Sequence, residues 1–184
     1  MPLVTAPATA KGPEGIAVPK GSTLASLATA ATGQSVDGIQ CQTNEQFVSH
    51  VHSHLTIFVN GQAKVVPAGV GIPDPQAVQT KEGPFVQSGN CFYWLHTHAK
   101  DGVIHIESPS ASRHFTLGQF FDEWGQPLSA TSVGPATGTV TAFLNGKVVH
   151  TNPRNIPLGA HNQIQLDVGT PIVAPVKVKN WGQL

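Results

Sequence analysis

The chain has 184 residues, enough for one domain with a real hydrophobic core or for two small ones. Ten Lys and Arg balance ten Asp and Glu, and only 11% of residues are charged. A basic nucleic-acid surface and an acidic interaction tail are both excluded, and no stretch approaches the ~20 consecutive apolar residues of a membrane-spanning helix.

Residues 1–34 are rich in Ala, Thr, Pro and Gly and read as a flexible N-terminal segment. One short helix is expected within it, over Ser22–Ala30 and ending at Gly33. Neither a basic start nor a long apolar run follows Met1, so no signal peptide is visible. Stretches such as Thr5-Ala6-Pro7-Ala8-Thr9-Ala10 look instead like the spacer of an exported protein whose leader has been removed, with Met1 an added residue. A single His-rich β domain is expected over 35–170, and residues 171–184 form a C-terminal tail, either an edge strand or a loose end.

The chain has two cysteines, Cys41 and Cys91, neither in a CxxC pair, so a thiolate zinc site and a thioredoxin-like motif are unsupported. Each lies a few residues before a His-bearing segment. They are read as a disulfide tying the entries of those segments together, which implies an oxidising compartment; two buried free thiols are the alternative. With no methionine beyond Met1, a thioether Cu(I) site is excluded.

Six of the nine histidines fall on three short β-type segments. Residues two apart on a strand point the same way. In the first segment His50, His52 and His54 therefore face one side, and Val51, Leu55, Ile57 and Val59 the other. Asn60-Gly61 then marks a hairpin, and the Pro/Gly-rich stretch 67–90 is long enough to be a binding loop or an ordered cover. The second segment, Phe92 to His98, places His96, His98 and Trp94 on one face. In the third, His105 and Glu107 oppose Ile104 and Ile106. Between the last two segments, Asp101-Gly102 suits a two-residue type I′ turn, which would set His98 opposite His105 and His96 opposite Glu107. A longer loop, Ala99 to Gly102, would set His96 opposite His105 without changing the faces.

Thr116-Leu117-Gly118-Gln119 has the form of a capping box and opens a helix over Leu117–Trp124, with Phe120, Phe121 and Trp124 as its core face and Asp122 and Glu123 as its solvated side. The last strands are Val140–Leu144, an Asn145-Gly146 turn, Lys147–His150 and Gln163–Val168. Short β-branched segments and abundant Gly and Pro predict an all-β or β-dominated α+β fold of antiparallel hairpins with one or two short helices. It would be β-grasp-like, or a small barrel or sandwich.

The stretches Asp37-Gly38-Ile39-Gln40-Cys41, His50-Val51-His52-Ser53-His54-Leu55, Trp94-Leu95-His96-Thr97-His98, Ile104-His105-Ile106-Glu107-Ser108-Pro109 and Leu117-Gly118-Gln119-Phe120-Phe121 together resemble a family of exported, His-rich bacterial proteins of unassigned function. The likeness covers about residues 35 to 170. It implies export and a single domain, and carries no activity.

Clustered imidazoles are the commonest protein metal ligands. The expected ligands are His52, His54, His96 and His98, then His105, with Glu107 as ligand or base. His50 and His54 lie about 13 Å apart along a strand, so His50 either supports the others or belongs to a second ion site. His114, His150 and His161 are read as surface or structural. Imidazole with carboxylate suits Zn²⁺, Cu²⁺, Ni²⁺ or Fe²⁺ over Ca²⁺ or Mg²⁺; an oxidising compartment makes Cu²⁺ or Zn²⁺ the simplest choice, with Fe²⁺ behind them. Three functions follow: an extracytoplasmic metal-binding protein, a water- or oxygen-activating metalloenzyme with Glu107 as catalytic base, or a metal-free module whose histidines charge at acid pH. In the enzyme reading, loop 67–90 shapes a substrate pocket lined by Tyr93 or Trp94. Any partner beyond a metal ion is left open.

Overall fold

In the computed structural model, residues 3–6 and 9–184 are described; Met1, and Pro7 and Ala8 of the expected spacer, lie outside them. Strand β1 (Ser49–Val59) turns at Asn60-Gly61 into β2 (Gln62–Val65). Residues 67–90 contain a second hairpin, β3 (Gln76–Thr80) and β4 (Gly83–Ser88). After β5 (Leu95–His96) and β6 (Val103–Ser108) comes the helix α1 (Leu117–Trp124). Strands β7 (Val140–Leu144) and β8 (Lys147–Val149) form a hairpin around Asn145-Gly146, and β9 (Gln163–Val168) closes the set. Asn60 and Gly61 have φ of 51° and 76°, and Asn145 and Gly146 of 53° and 82°. Both central positions of each turn are thus left-handed, as a type I′ hairpin requires.

The main sheet runs β2-β1-β9-β7-β8, with Ser22–Thr23 outside β2. Strand β6 lies along the N-terminal half of β1, and β5 lies along β6. The last strand, β9, is parallel to the first, β1, and antiparallel to β7. Hairpin, helix, hairpin and a final strand laid parallel beside the first make a β-grasp-like order; the sheet does not close into a barrel. Among the described residues, no helix is long and apolar enough to cross a membrane.

Helix α1 starts where the sequence places it: Gln119 Oε1 accepts from the Thr116 N–H at 3.0 Å. It ends at Gly125, whose φ of 66° is left-handed. Phe120, Phe121 and Trp124 are fully buried and share one core with Leu55, Ile57, Ile104, Ile106, Ile164 and Leu166. Glu123 departs from the expectation of a solvated side. It too is fully buried, with no partner for either carboxylate oxygen. Burial, with Asp37 and Asp122 nearby, pushes its pKa well up. Only Asp122 of the pair is in an ion pair, with Arg154.

The other face of the sheet is covered by the two chain ends. Gln163, Gln165 and Asp167 lie on it beside His54, Thr56 and Phe58. Their side chains dock the C-terminal tail: Gln165 Oε1 accepts from Val176 N at 2.9 Å, and Asp167 Oδ1 from Val173 N at 3.0 Å. From the N-terminal segment, Ile16 is buried near Thr56 and Phe58 on this face, whereas Leu24 and Ala31 join the core on the α1 side. The helix expected over Ser22–Ala30 is absent; Ser22–Thr23 instead pairs parallel with Lys64–Val65, and bends and turns follow. Leu24, Leu27, Ala28 and Ala31 have helical spacing, but pairing along the edge of β2, continued by the Leu24 N–H to the Val65 carbonyl at 2.9 Å, holds the start of the segment extended.

Candidate metal centre

Strand register gathers the histidines. Strand β6 runs antiparallel to β1 with His50 opposite Glu107 and His52 opposite His105. On the other edge of β6, β5 sets His96 opposite His105. His52, His105 and His96 thus form a row across three strands. This is the register of the longer loop, because the connection spans 97–102. Gly102 has positive φ, of 85°, whereas Asp101 does not, so the turn is not type I′. Asp101 is drawn inward, and its Oδ1 accepts from Val103 N at 3.2 Å. A Cβ on Gly102 would meet the Leu55 carbonyl oxygen at 2.3 Å, which leaves no room for a side chain. The second segment is broken as well, by a bend at Trp94. His98, beyond the end of β5, is held by the hairpin of the 67–90 stretch: Phe85 stacks on its ring at 4.8 Å, and the Val86 carbonyl oxygen accepts from its Nδ1–H. That stretch is an ordered cover over the site.

Backbone carbonyls fix the two central tautomers. His96 Nδ1 lies 2.8 Å from the Tyr93 carbonyl oxygen, and His98 Nδ1 lies 2.6 Å from that of Val86. A carbonyl only accepts, so both Nδ1 atoms carry hydrogen, and in the neutral rings both Nε2 atoms carry lone pairs. Those Nε2 atoms face one another at 3.1 Å. His105 Nδ1 is 3.2 Å from Glu107 Oε1, which is 3.8 Å from His96 Nε2. Donor atoms of His96, His98, His105 and Glu107 all lie within 4.8 Å of one another, and so do those of His50, His52 and His105. This buried His/Glu cluster could hold a metal ion. His96, His98, His105 and Glu107 are 0%, 4%, 7% and 2% exposed.

Three acids that the sequence reading missed complete the cluster. Glu14 Oε1 is 2.6 Å from His105 Nε2, and Glu45 Oε1 is 3.3 Å from His98 Nε2. Behind Glu14, its carboxyl and that of Asp101 face each other. Glu14 is 91 residues from His105 in a segment of linker composition, and Glu45 lies in an unpatterned approach to β1. Neither carries a local signal. Asp101 was visible only as a turn residue.

The electrostatics are those of a site built dry. Burial lowers the pKa of His96 and His105 well below the usual imidazole range, with neighbouring imidazolium charge adding to it. Burial takes His52 down to about 4. For His98, burial lowers the pKa, but Glu45, the Val86 carbonyl and Glu14 together raise it further. Burial lifts Glu107 to about 7, Glu14 to about 7 and Asp101 to about 8. A divalent cation could compensate the buried carboxylates and use the imidazole lone pairs.

A pH dependence follows for Asp101. Its folded pKa of about 8 stands above the ordinary 3.8. Its share of stability is therefore complete below the latter and lost as pH rises through the former. Asp101→Asn removes this slope. In chelator-treated protein, the variant's stability relative to wild type is expected to improve between pH 5 and about pH 8 and to level off above it in chemical denaturation. Parallel pH profiles would contradict the buried Asp101 carboxyl as its source.

Of the expected ligands, the structure brings together His96, His98, His105 and Glu107, with His50 and His52 alongside. It does not bring His54 in. His54 Nε2 donates to the Asp101 carbonyl oxygen at 2.8 Å, and its Nδ1 meets the Thr56 hydroxyl at 3.3 Å, so both nitrogens are spent. The twist and length of β1 carry His54 past the end of the cluster. His114, His150 and His161 are exposed. Cys41 and Cys91 form the disulfide, with Cα atoms 5.4 Å apart, beside the paired segments Cys41–Gln42 and Phe92–Tyr93. Tyr93 and Trp94 line no pocket at the cluster: the Tyr93 hydroxyl donates to the Gln34 carbonyl, and Trp94 packs on Phe115 under Arg113.

In comparisons with known proteins, no family model, no curated protein and no solved structure matches this chain.

Proposed function

We propose that this chain is an extracytoplasmic metal-binding protein that holds a Cu²⁺ or Zn²⁺ ion on His96, His98, His105 and Glu107. One observation carries the reading. The Nε2 atoms of His96 and His98 stand 3.1 Å apart, and because the Nδ1 hydrogens go to carbonyls, each neutral ring turns its lone pair toward the other. Two lone pairs so placed in a buried site repel unless a cation lies between them. Metal-ligating histidines typically donate their other ring hydrogen to a carbonyl or carboxylate, as these two do.

Imidazole and carboxylate donors favour Zn²⁺ and Cu²⁺ over Ca²⁺ and Mg²⁺. Both cysteines are bonded to each other, so no thiolate competes. Holding is favoured over catalysis because all four ligands are buried and the 67–90 cover seals His98. The disulfide supports an extracytoplasmic location, as does the resemblance to exported proteins.

Elemental analysis of untagged protein purified without chelator tests this reading. About one copper or zinc per chain or more, retained through gel filtration, is expected. Protein that stays metal-free after exposure to Cu²⁺, Zn²⁺ and Fe²⁺ would contradict it and leave a proton as the only cation between His96 and His98.

A further inference from the structure

We infer that the site takes two ions, the second on His50 and His52, with Glu107 between the two; the inference rests on the metal-binding reading above. Six side chains converge here, yet they fall into two sets of mutually close donor atoms rather than one, and the sets share His105. Ligands on one zinc or copper ion lie about 2.0–2.2 Å from it, so no two of them can be more than about 4.4 Å apart. One ion therefore cannot gather both ends of the row, and four-coordinate geometry leaves donors over.

Glu107 is placed to serve both sets. Its Oε1 lies 3.1 Å from His50 Nε2 on one side and 3.8 Å from His96 Nε2 on the other. Its Oε2 is buried and has no partner. A carboxylate offering one oxygen to each ion is a recurrent bridge in two-metal sites, where the ions stand about 3.5–4 Å apart. His52 Nε2 joins His50 in the outer set, while the single lone pair of His105 Nδ1, 3.2 Å from it, serves the inner ion.

The two positions differ in access. The inner donors are buried, whereas the His50 side chain is 41% exposed. His50 and His52 open onto a small cleft of about 180 Å³ shared with Ala160, His161 and Leu184. His50 and His52 on the cleft, with Glu107 behind them, leave room for a further ligand from solvent, the mark of an exchangeable site. The outer ion is the labile one, and the inner ion is locked.

Zn²⁺ titration of the chelator-treated full chain against a chromophoric competitor, with stoichiometry checked by elemental analysis, tests the inference. Two ions per chain are expected, the weaker one lost in His50→Gln/His52→Gln with the tighter retained. His50→Gln alone, at a half-exposed position that should not disturb folding, should weaken only the outer ion, by about tenfold or more. One ion per chain that survives these substitutions would overturn the second site and leave the metal-binding reading standing, whereas one ion lost in them would overturn both. No ion at all would overturn that reading and this one with it.

Discussion

His98→Ala is expected to lower Zn²⁺ affinity at the inner position by more than about 100-fold, since loss of even an outer-shell partner of a metal ligand typically costs 10–100-fold. A 100-fold loss is about 2.7 kcal/mol of binding free energy. The same change removes the stacking partner of Phe85 and frees the Val86 carbonyl, so the 67–90 cover loosens with it. His54→Ala provides the contrast. It sits four residues from His50 on the same face of β1 and was as good a ligand by sequence, but its nitrogens are bonded to Asp101 and Thr56. Its loss should cost folding stability of about 1–3 kcal/mol through a buried hydrogen bond, while Zn²⁺ affinity of the folded protein stays near wild type. Exposed His150→Ala should change neither. Isothermal titration of the three variants reads this directly, and equal losses of affinity in His54→Ala and His98→Ala would contradict the assignment.

Removing the Cys41–Cys91 bond should destabilise the chain by roughly 4 kcal/mol, the chain-entropy value for a closed loop of about this length. The bond spans 50 residues of sequence separation, a loop that contains β1 to β4. For a chain of this size, that is a fall in Tm on the order of 8–16 °C. Affinity should fall as well. The bond locks Phe92–Tyr93 against Cys41–Gln42, and the Tyr93 carbonyl orients His96. Cys41→Ser/Cys91→Ser, which avoids thiol reductants that bind metal, is the cleaner comparison in calorimetry. A Tm within about 2 °C of wild type would show that the fold does not lean on the bond.

Much of the fold could be read from local chemistry. Both Asn-Gly turns, helix α1 with its Gln119 cap, and the alternating faces of β1 and β6 follow from adjacent residues. The β-grasp-like order needed only the likeness of β9 to a closing strand. What escaped reading was set by distant contacts. His54 differs from His52 only by what packs against it. The registry of β5 on β6 depended on whether Asp101 stayed in a two-residue turn or went inward, and its burial beside Glu14 decided that. Glu14, Ile16 and Leu24 lie in a segment whose composition reads as linker, so nothing local announced that it covers the sheet. Glu123 looked solvated because a short helix with a strong aromatic face has an obvious outer side; here a second layer encloses that side too.

Anomalous diffraction at the zinc or copper edge from crystals of the metal-loaded chain tests the central claim most directly. The expected result is a peak between the Nε2 atoms of His96 and His98 and within bonding distance of Glu107, with the Tyr93 and Val86 carbonyls still accepting from both Nδ1 atoms. A peak only at exposed His114, His150 or His161, or none at the cluster in fully loaded protein, would contradict it.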